Sequence, residues 1–226
     1  YEFDRLGQLV RQYKIHLGDT LISTYQYDYK GNITLHRESN KFGYYERRFK
    51  YDEQNRLTNT EVRRDKKSEH NKFSFELDES KVVSKEMYEY IQLEGKDYKR
   101  LCYNAANRIY KIEFYYFNSK GQLAKKESAL HNGSGRSEVD YFYNSLGQIE
   151  EIKTVSKGSG THLKKRTFEY DKDGNVLARK IYRNDKIISE DQLVFAEETG
   201  LLKAIISRGE EGNMLTILQF TNYRNY

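Results

Sequence analysis

Apolar and polar positions alternate along this chain in a unit that recurs about every 25 residues. The unit is an aromatic, any residue, a second aromatic, Asp or Asn, two free positions, Gly or Asn, a polar residue and an aliphatic. It reads Tyr1-Glu2-Phe3-Asp4-Arg5-Leu6-Gly7-Gln8-Leu9 and returns at Tyr25–Ile33, Phe49–Leu57, Leu101–Ile109, Tyr115–Leu123, Tyr141–Ile149 and Phe168–Val176, with decayed copies at Phe75–Val83 and Leu193–Leu201. A period of this size is an architectural signature. Alternation with a period of two is that of a strand, so Tyr25 and Tyr27 share one face. Asp28 is suited to accept hydrogen bonds from turn N–H groups, Gly31 supplies a positive φ, and Ile33 and Leu35 lead back along a partner strand. Asn55 and Asn107 stand where other copies carry Gly, and Asn tolerates the left-handed region.

Between these hairpins lie looser connections at Asn40–Gly43, Arg64–Asn71, Glu94–Asp97, His131–Arg136, Lys157–Thr161, Asn184–Asp185 and Arg208–Asn213. Two kinds of turn in alternation predict an all-β antiparallel meander of about 18 strands without a helix. The turn residues Asn104 and Asn118 are 14 residues apart, which leaves room for one strand between them. The motif turns are therefore expected at one end of the sheet up to Asn104 and at the other from Asn118 onward. An even strand number allows the first and last strands to pair antiparallel, so a closed or flattened barrel is the expected form. The alternative is an open, curved, single-layer sheet. The repeat runs end to end, and residues 1–226 are read as a single domain.

Composition narrows the classes. The chain carries 21 Tyr, 11 Phe and no Pro, too many aromatics for a disordered segment and a composition suited to uninterrupted ladders. Thirty-nine basic against 34 acidic residues give a net charge of +5 without a long basic run, so nucleic acid is not implied. Cys102 is the lone cysteine and excludes an internal disulfide framework. No apolar stretch is long enough for a membrane-spanning helix. A mean hydropathy of −0.95 argues against the outward apolar band of a membrane barrel. The chain begins inside a repeat, so any signal peptide is expected to have been removed or not included.

The motif resembles the YD repeat of the Rhs and teneurin families, most fully at Tyr25-Gln26-Tyr27-Asp28-Tyr29-Lys30-Gly31-Asn32-Ile33-Thr34 and at Phe168-Glu169-Tyr170-Asp171-Lys172-Asp173-Gly174-Asn175-Val176. The chain also resembles short secreted or lipid-anchored proteins of gut bacteria that have a porin-like β-fold. These resemblances imply a barrel-like fold and a secreted or cell-envelope location, at most peripheral or lipid-anchored. Neither carries a catalytic residue onto this sequence.

Few residues suggest chemistry. Asp171-Lys172-Asp173-Gly174-Asn175 opens like a calcium loop but lacks the later Gly and Glu ligands, and reads as a turn. His16, His36, His70, His131 and His162 are scattered and lack metal-site spacing. Gly133-Ser134-Gly135 and Gly158-Ser159-Gly160 lack the phosphate-loop pattern. The pairs Glu150-Glu151, Glu197-Glu198 and Glu210-Glu211 point to opposite faces if they lie in strands. No cofactor or metal is expected, and the chain is read as non-enzymatic. The aromatics are densest at Tyr44, Tyr45, Phe49 and Tyr51, at Tyr110–Phe117 and at Tyr141–Tyr143. Where both faces of a strand are aromatic, one face is available as a platform for sugar rings or peptide, and the candidate ligand-binding residues are Tyr110, Phe114, Tyr116, Tyr141 and Tyr143. The function read from the sequence is binding of a glycan or partner protein through an aromatic and basic surface. A structural shell that encloses or carries another domain is the alternative.

Overall fold

A computed structural model describes residues 1–16, 19–66, 81–209 and 215–220. His70, the pair Glu210-Glu211 and most of the decayed copy at Phe75–Val83 lie outside the described residues. The strands are β1 (Glu2–Phe3), β2 (Leu9–His16), β3 (Asp19–Tyr27), β4 (Ile33–Ser39), β5 (Gly43–Tyr51), β6 (Leu57–Lys66), β7 (Lys81–Gln92), β8 (Tyr98–Tyr103) and β9 (Ile109–Phe117). They continue as β10 (Leu123–Leu130), β11 (Arg136–Tyr143), β12 (Ile149–Lys157), β13 (Thr161–Tyr170), β14 (Val176–Arg183), β15 (Lys186–Phe195), β16 (Leu202–Gly209) and β17 (Leu215–Gln219). All 17 are assigned to one sheet. Contacts divide the chain into two compact units: unit 1 holds Tyr1–Glu89 and Leu101–Tyr110, and unit 2 holds Tyr90–Arg100 and Lys111 onward.

The meander is as the turn spacing predicts. In unit 1, β1 to β7 pair antiparallel in chain order, and in unit 2, β9 to β17 do the same. Two expectations are corrected. The pairing of first and last strands that a closed or flattened barrel requires is not among the ladders of the described residues. Seventeen strands are found among the described residues, in agreement with the expected number of about 18. The motif turns also reverse once more than expected, before Asn104. Three strands, β6, β7 and β8, separate the turn at Asp52 from that at Asn104, so within unit 1 the Asn104 turn already sits opposite those at Asp4, Asp28 and Asp52. Strand β9 does separate Asn104 from Asn118, as the 14-residue interval requires.

Each motif turn is built the same way. The Asp28 N–H donates 2.9 Å to the Asn32 carbonyl, and the Gly31 N–H donates 3.0 Å to the Asp28 carbonyl. The Asp28 Oδ1 accepts from the N–H groups of Lys30 and Asn32, both at 2.9 Å. The same Oδ1 pattern recurs at Asp4, Asn104, Asn118, Asn144 and Asp171. Only an acceptor oxygen is needed, so Asn serves as well as Asp. Asn55 and Asn107 adopt φ of 66° and 57°, the left-handed conformation expected for them. Immediately after most of these turns the ladder slips by one residue, as between Gln26 and Tyr27 and between Phe142 and Tyr143. Such a bulge splays and twists the strand ends.

A tyrosine hydroxyl spans that splayed end. Tyr27 donates 2.8 Å to the carbonyl of Leu9, Tyr51 donates 3.0 Å to Ile33, Tyr143 donates 2.8 Å to Leu123 and Tyr170 donates 2.7 Å to Ile149. In every case the donor is the second aromatic of one motif and the acceptor is the aliphatic that ends the preceding motif. A second rung comes from the polar residue of the motif: the Gln122 amide donates 3.0 Å to the carbonyl of Gly147, and that of Gln148 donates 3.4 Å to Gly174. Few side chains are fully buried among the described residues. Unit 1 buries Tyr44, Cys102 and the carboxylate of Glu46, and unit 2 buries Tyr115, Ala178, Glu113 and Asp191. Hydrogen bonding and ion pairing therefore carry more of the register than an apolar core does.

Two substitutions test this construction. Tyr51→Phe keeps the ring and removes the rung, and is expected to lower unfolding free energy by about 0.5–1.5 kcal/mol. At Gly147, φ is 81° and an added Cβ would stand 3.0 Å from the Gln122 amide nitrogen. Gly147→Ala is expected to cost more than about 1 kcal/mol. Urea unfolding of each variant measures both, and unchanged midpoints would contradict the ladder of turns.

Candidate functional site

The five aromatics singled out from the sequence do not form one platform. Tyr110 belongs to unit 1, where it is half-buried and its hydroxyl donates 2.8 Å to Glu86 Oε1. Burial first, and then that carboxylate, push its ionisation upward. In unit 2, Phe114 and Tyr116 are stacked with ring centroids 6.4 Å apart and an interplanar angle of 10°. Phe114 lies opposite Glu127, and Glu127 opposite Glu138, and these side chains share a face and border a concavity of about 590 Å³. Tyr141 and Tyr143 point to the other face, because Tyr115 pairs with Lys126 and Lys126 with Val139. Tyr143 is moreover one of the rung tyrosines, with its hydroxyl committed to Leu123.

The face that bears Tyr115 carries an ionic cluster that sequence reading missed. Glu113 is buried, and Arg100 Nε donates 2.7 Å to its Oε2. Lys126 and Lys111 stand 3.1 and 3.2 Å from its Oε1, and the Tyr115 hydroxyl donates 3.0 Å to Oε2. Tyr98 stacks on Tyr115 at 4.5 Å, while Arg100 and Lys126 lie 5.5 and 5.2 Å from the Tyr115 ring centroid. Burial alone would raise the Glu113 carboxyl; Arg100, Lys126 and Lys111 more than reverse this and hold it down to about 2.

In unit 1 the corresponding buried acid is Glu46, which accepts from Arg37 Nε at 2.7 Å and Arg48 Nε at 2.5 Å. Arg37 and Glu46 are direct cross-strand partners. Their meeting follows from the turn at Asn40–Gly43 once its centre is known.

The opposite face of β3 to β6 gathers a different set. Tyr25 and His36, paired across β3 and β4, stack at 4.6 Å with an interplanar angle of 2°. Arg47 lies across from His36. The guanidinium groups of Arg47 and Arg64 lie 5.3 and 5.4 Å from the centroid of Tyr45, and Arg47 also donates to its hydroxyl. His36, Glu38, Phe42, Tyr45, Arg47 and Arg64 border a concavity of about 580 Å³. The buried Nε2 of His36 has no hydrogen-bond partner. Glu38 stands 3.6 Å away, beyond hydrogen-bond length. Burial, followed by the charge of Arg47, lowers the His36 pKa against the pull of Glu38, which favours a neutral imidazole able to donate or accept. Phe42 is exposed at the rim. Among the described residues no three His, Cys, Asp or Glu side chains group to hold a metal ion, and no helix is long and apolar enough to cross a membrane.

The sequence matches no known family model and no curated protein. Among solved structures, it is similar to a porin-like protein from Bacteroides uniformis ATCC 8492, with 8% identity over 92% of this chain and 91% of that one and a TM-score of 0.41. A porin-like protein from Bacteroides vulgatus ATCC 8482 is similar at 10% identity over 94% and 98% of the two chains, with a TM-score of 0.39. A chain of the Photorhabdus luminescens Tc holotoxin pore is similar at 11% identity and a TM-score of 0.30, over 95% of this chain but 15% of that one. Likenesses of this degree say nothing of what the chain binds.

The Glu113 cluster gives a pH signature. Its folded carboxyl value lies below the ordinary 4.5, so the stability it confers is complete above that value and is lost as pH falls toward 2. Glu113→Gln leaves three cations facing no charge and is expected to cost roughly 3 kcal/mol at neutral pH. It should also flatten the fall in the urea midpoint between pH 5 and 2.5 relative to the parent. A parallel fall in both proteins would show that this carboxylate does not couple to folding.

Proposed function

We propose that this chain is a non-catalytic β-repeat protein of the cell envelope or the secreted space, allied to the YD-repeat proteins, and that it binds glycan. The observation that carries the reading is the site on unit 1 where the guanidinium groups of Arg47 and Arg64 lie over the Tyr45 ring, in the concavity that His36 borders with an unpartnered Nε2. Two guanidinium groups, a tyrosine hydroxyl and an imidazole nitrogen gathered at one concavity supply the donors and acceptors that sugar hydroxyls use. The His36 nitrogen is a buried polar atom whose lack of a partner costs free energy until a ligand hydroxyl supplies one. Clustered carboxylates that would serve acid and base catalysis are absent from this set, and Glu38 stands alone in it. The alternative of a structural shell needs no ligand at this position.

The test is calorimetric titration of the protein with a panel of neutral oligosaccharides. A hit is expected to weaken by about tenfold or more, roughly 1.4 kcal/mol, in Tyr45→Ala. Arg64→Ala, which changes an exposed side chain, is expected to weaken it less. Failure of every member of the panel to bind would favour the shell.

A further inference from the structure

The register of unit 2 sorts charge between the two faces of its sheet in a way that net charge conceals. On the face of Tyr115, one row of direct cross-strand partners reads Tyr115, Lys126, Val139, Thr154, Lys164 and Arg183. The next row reads Glu113, Ser128, Ser137, Ser156 and His162. The two rows lie two residues apart along the strands, about 7 Å. Both run across the sheet, perpendicular to the strands. On the opposite face the corresponding row reads Tyr116, Lys125, Asp140, Lys153 and Lys165, and there Lys125 is bridged to Glu127 and Glu138 at 2.9 Å each. That row has a like-charge pair of its own, Lys153 and Lys165, but both are half-buried, with Asp140 across from Lys153 and the Tyr182 ring centroid 4.4 Å from Lys165 Nζ.

Lys164 and Arg183 are the informative pair. They stand directly opposite each other on β13 and β14, and both are exposed. Like charges in that relation destabilise a ladder. No carboxylate among the described residues lies within ion-pair distance of either, nor of Arg166 two residues along the same face. The one acid of the two rows, Glu113, is already engaged by Arg100, Lys111 and Lys126. An exposed pair of like charges without counter-charge raises the local positive potential and concentrates anions there.

We infer that this face of unit 2 takes an acidic polysaccharide, laid across strands β10 to β14. Its carboxylate or sulfate groups meet Lys164, Arg183 and Arg166, and its hydroxyls meet the parallel row of Ser128, Ser137 and Ser156. The strand spacing puts Lys126 and Lys164 about 14 Å apart with Thr154 between them, a flat track for an extended chain. The hydroxyl row favours a glycan over a single-stranded nucleic acid, which is held without sequence preference by exposed rings on which bases stack. On this face Tyr115 is buried and the hydroxyls of Tyr143 and Tyr170 are bound to backbone carbonyls. This inference deepens the glycan reading and rests on it, but it concerns a different unit and different residues from the Tyr45 site.

The test uses the whole chain, with polygalacturonate and chondroitin sulfate as acidic probes, a dextran as the neutral one and a 20-mer of thymidylate as the competing polymer. The expected result is saturable binding of at least one acidic probe, weakened by added salt and reduced tenfold or more in the Lys164→Glu/Arg183→Glu double variant. The exposed Lys157 on the opposite face serves as control, and Lys157→Glu is expected to change the affinity less than threefold. Circular dichroism melting of the variants guards against misfolding, and Lys164→Gln with Arg183→Gln gives a milder pair if the glutamates disturb the sheet. Acidic-glycan binding that both double variants leave unchanged would overturn the inference, as would tighter binding of thymidylate than of either acidic glycan. Neutral-sugar binding that persists through Tyr45 while the acidic probes fail would overturn this inference alone. Failure of every sugar, neutral and acidic, would remove the glycan reading with it.

Discussion

A hydroxyl donated by the second aromatic of a motif to a carbonyl of the hairpin before it, found at four of the motifs, is the interaction on which the rest of this sheet depends. Each motif turn carries a positive φ and is followed by a bulge, and together they pull the strand ends apart. Without that contact, neighbouring hairpins would be held by ladders that stop short of the motif end, as the β4–β5 ladder does at Leu35 and Arg48. Tyr27, Tyr51, Tyr143 and Tyr170 supply that contact at the motif end. At these four positions Tyr does what an apolar ring of similar size, which would pack equally well, could not.

Among the described residues, the fully buried side chains are as often polar as apolar. Glu46 and Glu113 are among the most buried side chains, and each is held by cations from neighbouring strands. Buried ion pairs of this kind are weak evidence for net stability, because desolvation offsets much of the attraction. Their clearer effect is on register. A slip of one residue would turn Glu113 to the other face, away from Arg100 and Lys126. With the register so fixed, the residues left over on each face are also fixed, and on unit 2 this leaves Lys164 and Arg183 together without an acid between them.

Local structure was legible in the sequence where local chemistry decides it. The acceptor at Asp28, the left-handed residues at Asn55 and Asn107 and the single strand after Asn104 follow from turn stereochemistry and spacing. What depended on counting strands was not legible. The ladder between first and last strands that a closed barrel needs is not among those of the described residues, and the three strands between Asp52 and Asn104 add a reversal of the turns. Side-chain neighbourhoods were hidden for a related reason. Tyr141 and Phe114 look alike in composition, yet the register sends them to opposite faces. Density of aromatics marks strands well, but it does not tell a rung such as Tyr143 from a ring available to a ligand. The Arg37–Glu46 and Lys164–Arg183 pairs appear only once the centres of the less regular turns are set.

The central claim is that one face of unit 2 is kept cationic for a ligand while the other is neutralised internally. Lysine acetylation footprinting by mass spectrometry, with and without polygalacturonate, reads both faces in one experiment. The account predicts that the polymer slows modification of Lys164 and Lys126 while Lys153, Lys157 and Lys180 react as they do in the free protein. Protection spread evenly over both sets, or confined to the second, would contradict it.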